Sequence, residues 1–339
     1  MPPTAPPCAT FHRRPAESMT PRAPRLEYHT DATTALSDEV LAIVRLSTPV
    51  CASPSDVLTV DVGLEPVQGA VPAAVWRASG PVTRGRSGMI RYAHDAGFLF
   101  GVIEAHEVAY GDIRRTARTV YGAIDEFQRA SGFPHLIRMW NFLDALNDGA
   151  GDFERYRQFC VGRAEGFGES VRNGYPAATA IGRQRSSGVL QVFWIAAKAP
   201  GRAIENPRQV SAYRYPRVHG PVSPGFSRAT ILQDGTLLIS GTASIVGHVS
   251  KHPNDARAQL AETLRNLDAL TCHAREHGAI PSEQAECLLT VYVRRPVDLA
   301  LISTDAREAF PSAQLMFVGA DICRRELLVE IECVVQAQR

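Results

Sequence analysis

Nowhere in this chain of 339 residues do 18 consecutive positions stay apolar, so no membrane-spanning helix is expected. An excess of charge is also missing. There are 36 Lys and Arg against 35 Asp and Glu, a formal net charge of +1, which removes the electrostatic case for nucleic acid or an anionic membrane as the main partner. The seven cysteines (Cys8, Cys51, Cys160, Cys272, Cys287, Cys323, Cys333) are scattered, odd in number and without a C-x-x-C pair. That argues against a disulfide framework or zinc site and fits a reduced, cytoplasmic setting. No P-loop, no G-x-G-x-x-G, no His/Cys/Asp cluster with metal-ligand spacing and no Ser/His/Asp arrangement is legible, so no metal or cofactor is expected. Residues 1–25 are rich in Pro, Ala and Thr and lack the apolar stretch of a signal peptide. A disordered tail is expected there.

What is present is an ordinary globular composition, 45% apolar and 21% charged, at a length that favours two domains. Two segments carry helical spacing. Arg115–Ser131 places Ala117, Val120, Ile124 and Phe127 on one face before Gly132; Asp255–His277 does so with Leu260, Leu264, Leu267 and Leu270 before Gly278. Each is followed by a strand candidate (His135–Phe142; Cys287–Val293) and a short helical piece (Phe153–Phe167; Asp298–Phe310). Next come Tyr175–Gly182 and Phe310–Gly319, then a closing strand (Val189–Ala196; Leu327–Val335). The order recurs at about 145 residues, which predicts two copies of one α+β unit. A β-meander should open each copy. Arg228–Leu232 and Leu237–Ser240 around Asp234-Gly235 supply it in the second, and Val57–Val62 with Gly97–Val102 in the first. The expected division is residues 26–200, an interdomain segment 201–224 rich in Pro and Gly, and residues 225–339.

The closing strand of the second copy is the anomaly. Glu330 and Glu332 alternate with apolar residues and therefore share one face. Carboxylates are depleted in strands, so this face is either solvated or handles protons. In the first copy the expected counterparts are Val192 and Trp194, which makes the second copy the chemically active one.

Ser240–His248, Leu288–Val293 and Asp321–Glu332, together with Arg138-Met-Trp-Asn-Phe142 and Tyr175-Pro-Ala-Ala-Thr-Ala-Ile-Gly182, resemble the chorismatase family over roughly residues 27–336. The resemblance implies an α+β fold of two tandem Rid/YjgF-like (chorismate-mutase-like) units, each a mixed β-sheet with helices on one face. Residues 225–339 would be the catalytic half and residues 26–200 the supporting one. It implies cofactor-free cleavage of the enolpyruvyl ether of chorismate to pyruvate and a ring product, and a homotrimer as one arrangement. An enol ether opens when its methylene carbon is protonated. The acid must therefore stay protonated near neutral pH, although a solvated Glu titrates near about 4.3. Burial raises that value, and Glu330, which matches the family's catalytic Glu, is assigned as general acid. Glu332 is left as a solvated strand face or a satisfied ion pair, with a supporting role as the alternative.

A dicarboxylate needs cations, preferably Arg. Candidates are Arg138, Arg183, Arg217 and Arg228, of which Arg217 and Arg228 are favoured, with Tyr175 and Tyr215 as hydroxyl donors. In the family, small residues matching Gly241 and Cys323 influence the product, and this pair resembles the 3-hydroxybenzoate-forming branch, in which the 4-hydroxyl attacks and an arene oxide forms. Gly241 is also a candidate for close backbone approach to substrate or for a bulge, Cys323 for a small buried apolar residue, and His248 for a substrate contact or, more commonly, a structural loop residue. The rivals are a hydrolytic chorismatase giving a trans-3,4-dihydroxycyclohexa-1,5-diene carboxylate and a non-catalytic Rid-like metabolite-binding protein. An imine deaminase is disfavoured because Gln314 stands where Rid proteins carry Arg.

Overall fold

A computed structural model describes residues 22–29, 37–47, 56–66, 73–168, 174–184 and 187–338. The repeat is its organising feature. In the first half, strands Thr83–Ser87, Ile90–His94 and Phe98–His106 form a meander. Helix α1 (Ile113–Ala130), strand His135–Asp144, helix α2 (Arg155–Phe167) and strands Ala177–Arg183 and Val189–Ala197 follow. The second half repeats this order with Arg202–Ile204, Ala229–Ile231, Leu237–Ala243, α3 (Ala256–Glu276), Ala285–Val293, α4 (Leu299–Ala309), Gln314–Gly319 and Val329–Ala337. In both, the final strand inserts antiparallel between the third meander strand and the strand after the long helix. The remaining strand runs parallel on the far side.

Local chemistry explains the boundaries. Asp112 and Asp255 cap α1 and α3 by accepting from the backbone N–H three residues on, at 2.8 and 2.9 Å. The Asp234-Gly235 turn forms as expected, with Gly235 at φ +85° and Asp234 Oδ1 accepting from Thr236 N at 3.0 Å.

Two expectations need correction. Val57–Val62 does not open the first meander. Its strand, Thr59–Pro66, pairs with Gln314–Gly319 of the second unit and with Val40–Ser47. Alternation identifies a strand but not the edge it joins, and here it covers the exposed edge of a parallel strand. Residues 1–21 of the expected tail lie outside the described residues, but its end is ordered: Ala23 N donates to Asp234 at 2.9 Å and a strand begins at Arg25.

With Arg25–His29 and Ala73–Arg77, the N-terminal strands extend the second unit's sheet to ten strands; the first unit's sheet has seven. The larger sheet curls. Its first strand in order, Arg25–His29, lies over the sixth and seventh, where Leu26 N donates to Gln336 Oε1 at 3.0 Å and Tyr28 Oη meets Thr290 Oγ1 at 3.2 Å. The inner faces of both sheets enclose one apolar cluster that includes Trp76, Trp140, Phe193, Leu288 and Val334. Helices α1 and α2 cover the outer face of the first sheet, and α3 and α4 that of the second.

This layering also corrects the alignment of the closing strands. Val192 and Trp194 face outward beneath α1, where Trp194 Nε1 donates to Gln128 Oε1 at 3.1 Å. Glu332 faces inward. Glu330 lies opposite Tyr292 and Gln191 opposite Phe142, and the neighbouring pairs end at Gly319 and Gly182. The counterparts are therefore Gln191 and Phe193; a one-residue slip exchanges the two faces of a strand.

Candidate active site

Glu330 lies at the floor of a cavity of about 300 Å³ built from both halves of the chain. The second unit contributes Gly241, Ala243 and Ile245 from one segment and Cys323, Arg324, Arg325 and Glu326 from another. The segment between strands Arg202–Ile204 and Ala229–Ile231 gives Tyr215, His219, Phe226 and Arg228, and α2 of the first unit gives Tyr156 and Arg157.

The Glu330 side chain is only 4% exposed and takes no hydrogen bond or ion pair among the described residues. Burial pushes its carboxyl up to about 8, and the charge of Glu332 adds to the effect against the pull of Arg138, Arg228 and Arg294. At neutral pH it is a carboxylic acid. Cys323, close by, is pushed up to about 12 by burial and by Glu330, and stays a thiol. Burial likewise raises the Tyr156 hydroxyl well above its ordinary range.

Gly241 explains how the acid fits. The ladder between Leu237–Ala243 and Val329–Ala337 breaks register between Ile239 and Thr242, a bulge that contains Ser240 and Gly241. A Cβ at 241 would stand 1.9 Å from Glu330 Oε1, so any side chain there displaces the carboxyl. Thr179 anchors the bulge by accepting from Gly241 N at 2.9 Å.

The same threonine ties the inner core together. Its Oγ1 accepts from Arg138 Nη2 at 2.5 Å and donates to Glu332 Oε2 at 2.7 Å. Glu332 also receives Arg138 at 2.7 Å, Tyr292 Oη at 3.0 Å and Trp140 Nε1 at 3.1 Å. Its charge is fully engaged, as a structural ion pair requires.

Of the residues singled out from the sequence, the structure brings together Glu330, Gly241, Cys323, Arg228 and Tyr215. Arg138, Arg183, Tyr175, Arg217 and His248 lie apart from the cavity lining. Arg138 is committed to Glu332. Arg183 is buried against Asp144 at 2.7 Å, and Tyr175 stacks on Tyr213 beside a different cavity. Arg217 is exposed and forks onto Asp152 at 2.8 and 2.5 Å. His248 stands behind the wall, its Nδ1 3.0 Å from His219 Nε2 and its carbonyl accepting from Arg324 at 2.9 Å. Burial, helped by Arg324, lowers His219 to about 4, which leaves it neutral.

Arg324 is the main residue not anticipated. Its Nη1 is used by His248 O and Ser250 Oγ, while its buried Nη2 has no partner among the described residues; the same holds for Nε of Arg228, the Nη2 of which is held by Val210 O and Tyr215 Oη. Both arginines line the cavity and give it positive charge, and a guanidinium suits a carboxylate, so this wall is the place for an anion. Two supports fix the loop that carries Arg324. Arg294 donates to Ile322 O at 2.7 Å, Arg324 O at 3.1 Å and Leu327 O at 2.7 Å. From α3, Gln259 donates to His252 O at 3.1 Å and Glu326 O at 2.7 Å and accepts from Leu328 N at 2.8 Å.

Residues 74–196 match the family model described as "Chorismatase FkbO/Hyg5-like, N-terminal". A 3-hydroxybenzoate synthase of Streptomyces hygroscopicus is 36% identical over 78% of this chain and 81% of its own length. The chain belongs to the chorismatase family. A chorismatase of Streptomyces rapamycinicus is also 36% identical, over 78% of this chain and 82% of that one. The crystal structure of a chorismatase superimposes with a TM-score of 0.83 at 30% identity, covering 94% of this chain and 100% of that one.

Proposed function

We propose that this chorismatase-family enzyme converts chorismate to 3-hydroxybenzoate and pyruvate, with Glu330 as the acid. The observation that carries the proposal is the buried Glu330 carboxyl, held near 8 and without a partner among the described residues, in a cavity that Arg228 and Arg324 also line. Those two arginines would take the carboxylates of the substrate, with Tyr215 between them: its ring lies 5.6 Å from the Arg228 guanidinium and 5.2 Å from that of Arg324.

In the proposed reaction Glu330 gives its proton to the methylene carbon, which becomes the methyl group of pyruvate. The ether bond to the ring breaks, and its electron pair leaves as the pyruvate carbonyl. The 4-hydroxyl oxygen closes on the same ring carbon, and its proton returns to Glu330. The resulting arene oxide opens and the ring loses and regains one proton as it aromatises. Atoms balance without water, as the apolar wall of Ala243, Ile245, Phe226 and Cys323 favours. Gly241 and Cys323 would steer the product by shape.

The test is incubation with chorismate and mass-spectrometric identification of the products. 3-Hydroxybenzoate with equimolar pyruvate supports the proposal. A dihydroxydiene would move the enzyme to the hydrolytic branch, and no consumption by folded protein would leave a binding module. The homotrimer is the less favoured assembly, because the chain's own N-terminal strands already cover the inner sheet faces. Light scattering distinguishes 36.9 kDa from three times that mass.

A further inference from the structure

Among the described residues, one group of three His, Cys or acidic side chains converges closely enough to hold an ion: His273, Glu276 and His277, in and just after the last turn of α3. The spacing i, i+3, i+4 places all three on one helix face, and one ligand atom from each lies within 4.8 Å of the others. Two atoms each about 2.0–2.2 Å from one metal are at most about 4.4 Å apart, so small side-chain rotations close the set. The trio escapes a search for His, Cys and Asp spacing because a Glu supplies the third ligand.

We propose that His273, Glu276 and His277 bind one divalent transition metal of borderline softness, with zinc as the natural test ion. Two imidazoles and a carboxylate suit zinc better than a hard cation such as magnesium or calcium. Contacts that orient the ligands are already present. His277 Nδ1 lies 2.8 Å from the carbonyl of His273, and a carbonyl only accepts. Nδ1 therefore carries the proton, leaving the Nε2 lone pair to the metal. That carboxylate, Glu276 Oε2, is 3.3 Å from His273 Nδ1, and Arg202 fixes the helix end by donating to His277 O at 3.3 Å. The C-terminal end of a helix also attracts a cation. The half-exposed histidines and open Glu276 leave room for water on the metal.

The site is separate from the chemistry. His273 lies 14 residues along α3 from Gln259, about 20 Å at the rise of an α-helix. The site is therefore assigned to stapling the end of α3.

Isothermal titration of tag-free, chelator-dialysed protein with zinc chloride tests this. One zinc per chain is expected, lost in the His273→Ala/His277→Ala variant and kept in His219→Ala, where the other close histidine pair is broken. Zinc should raise the melting temperature of the wild type and leave that of the double variant unchanged, with equal chorismate turnover in both without metal. If the double variant melts early, His273→Gln alone serves. No uptake by wild type at 0.1 mM zinc (roughly a hundredfold above a 1 µM site), or an equivalent that survives the loss of both histidines, overturns the proposal.

Discussion

The two units share their strand order, and each has a glycine on the third meander strand, at non-equivalent positions and on opposite faces, that admits a neighbour from the closing strand. In the first, the ladder between Phe98–His106 and Val189–Ala197 is unbroken, and Gly101 faces Trp194 directly; a Cβ there would stand 2.3 Å from the indole. In the second, the corresponding ladder bulges at Ser240-Gly241, and the space goes to Glu330. Both units use a missing side chain on the third meander strand to admit a large neighbour from the closing strand. The first spends it on packing beneath α1. The second, by adding a bulge, opens it to a cavity and, in the proposed function, to proton chemistry. Where Glu330 stands, the first unit has Gln191, whose amide donates to Asp61 O at 3.0 Å and Glu104 at 2.6 Å. The first copy places an amide whose N–H groups are taken and whose oxygen is not; the second places an acid without partners among the described residues.

The comparison breaks most sharply at the acid itself. Glu330→Gln should lower kcat by ~10²–10⁴, the usual worth of a general acid, with an unchanged melting temperature; full turnover would move the chemistry elsewhere. Gly241→Ala should come close behind, since it expels the carboxyl. Gly101→Ala should instead cost ~1–3 kcal/mol of stability, as overpacking does, with little change in kcat per folded molecule. Denaturant unfolding alongside kinetics separates the two glycines. Arg324→Met should raise KM by roughly ten- to a hundredfold, the worth of a charge-assisted hydrogen bond, with a smaller effect on kcat.

pH gives a gentler test. The folded carboxyl of Glu330 titrates near 8 against 4.5 for the free group. The proton donor is present at pH 7, and kcat should fall about tenfold per unit above pH 8. The sign for stability agrees: the folded state holds this proton more tightly than the unfolded one, so its contribution is complete below 4.5 and is lost as pH rises to 8. Gln191→Leu should have the smallest effect, about 1 kcal/mol of stability and no change in product.

The repeat, the four helices and the unusual Glu330 carboxyl were legible because each leaves a local mark: helical spacing closed by Gly132 and Gly278, and a carboxylate in an apolar strand. The closing-strand register was not, because a one-residue slip leaves the sequence pattern equally plausible. Nor was the placement of Thr59–Pro66, whose partner strand is some 250 residues away. Arg138 and Arg183 read as substrate ligands because their true partners, Glu332 and Asp144, are set by tertiary packing. Arg324 stood inside the Asp321–Glu332 motif and could have been found there. Tyr156 and Arg157 reach the cavity from the other half of the repeat, which no local pattern announces.

The most direct measurement is a ¹³C NMR titration of glutamate side-chain carboxyls, wild type beside Glu330→Gln. One resonance should move with a midpoint near 8 in the wild type and be missing from the variant. If every glutamate carboxyl titrates below pH 6, Glu330 is charged at neutral pH and the proposed protonation cannot begin.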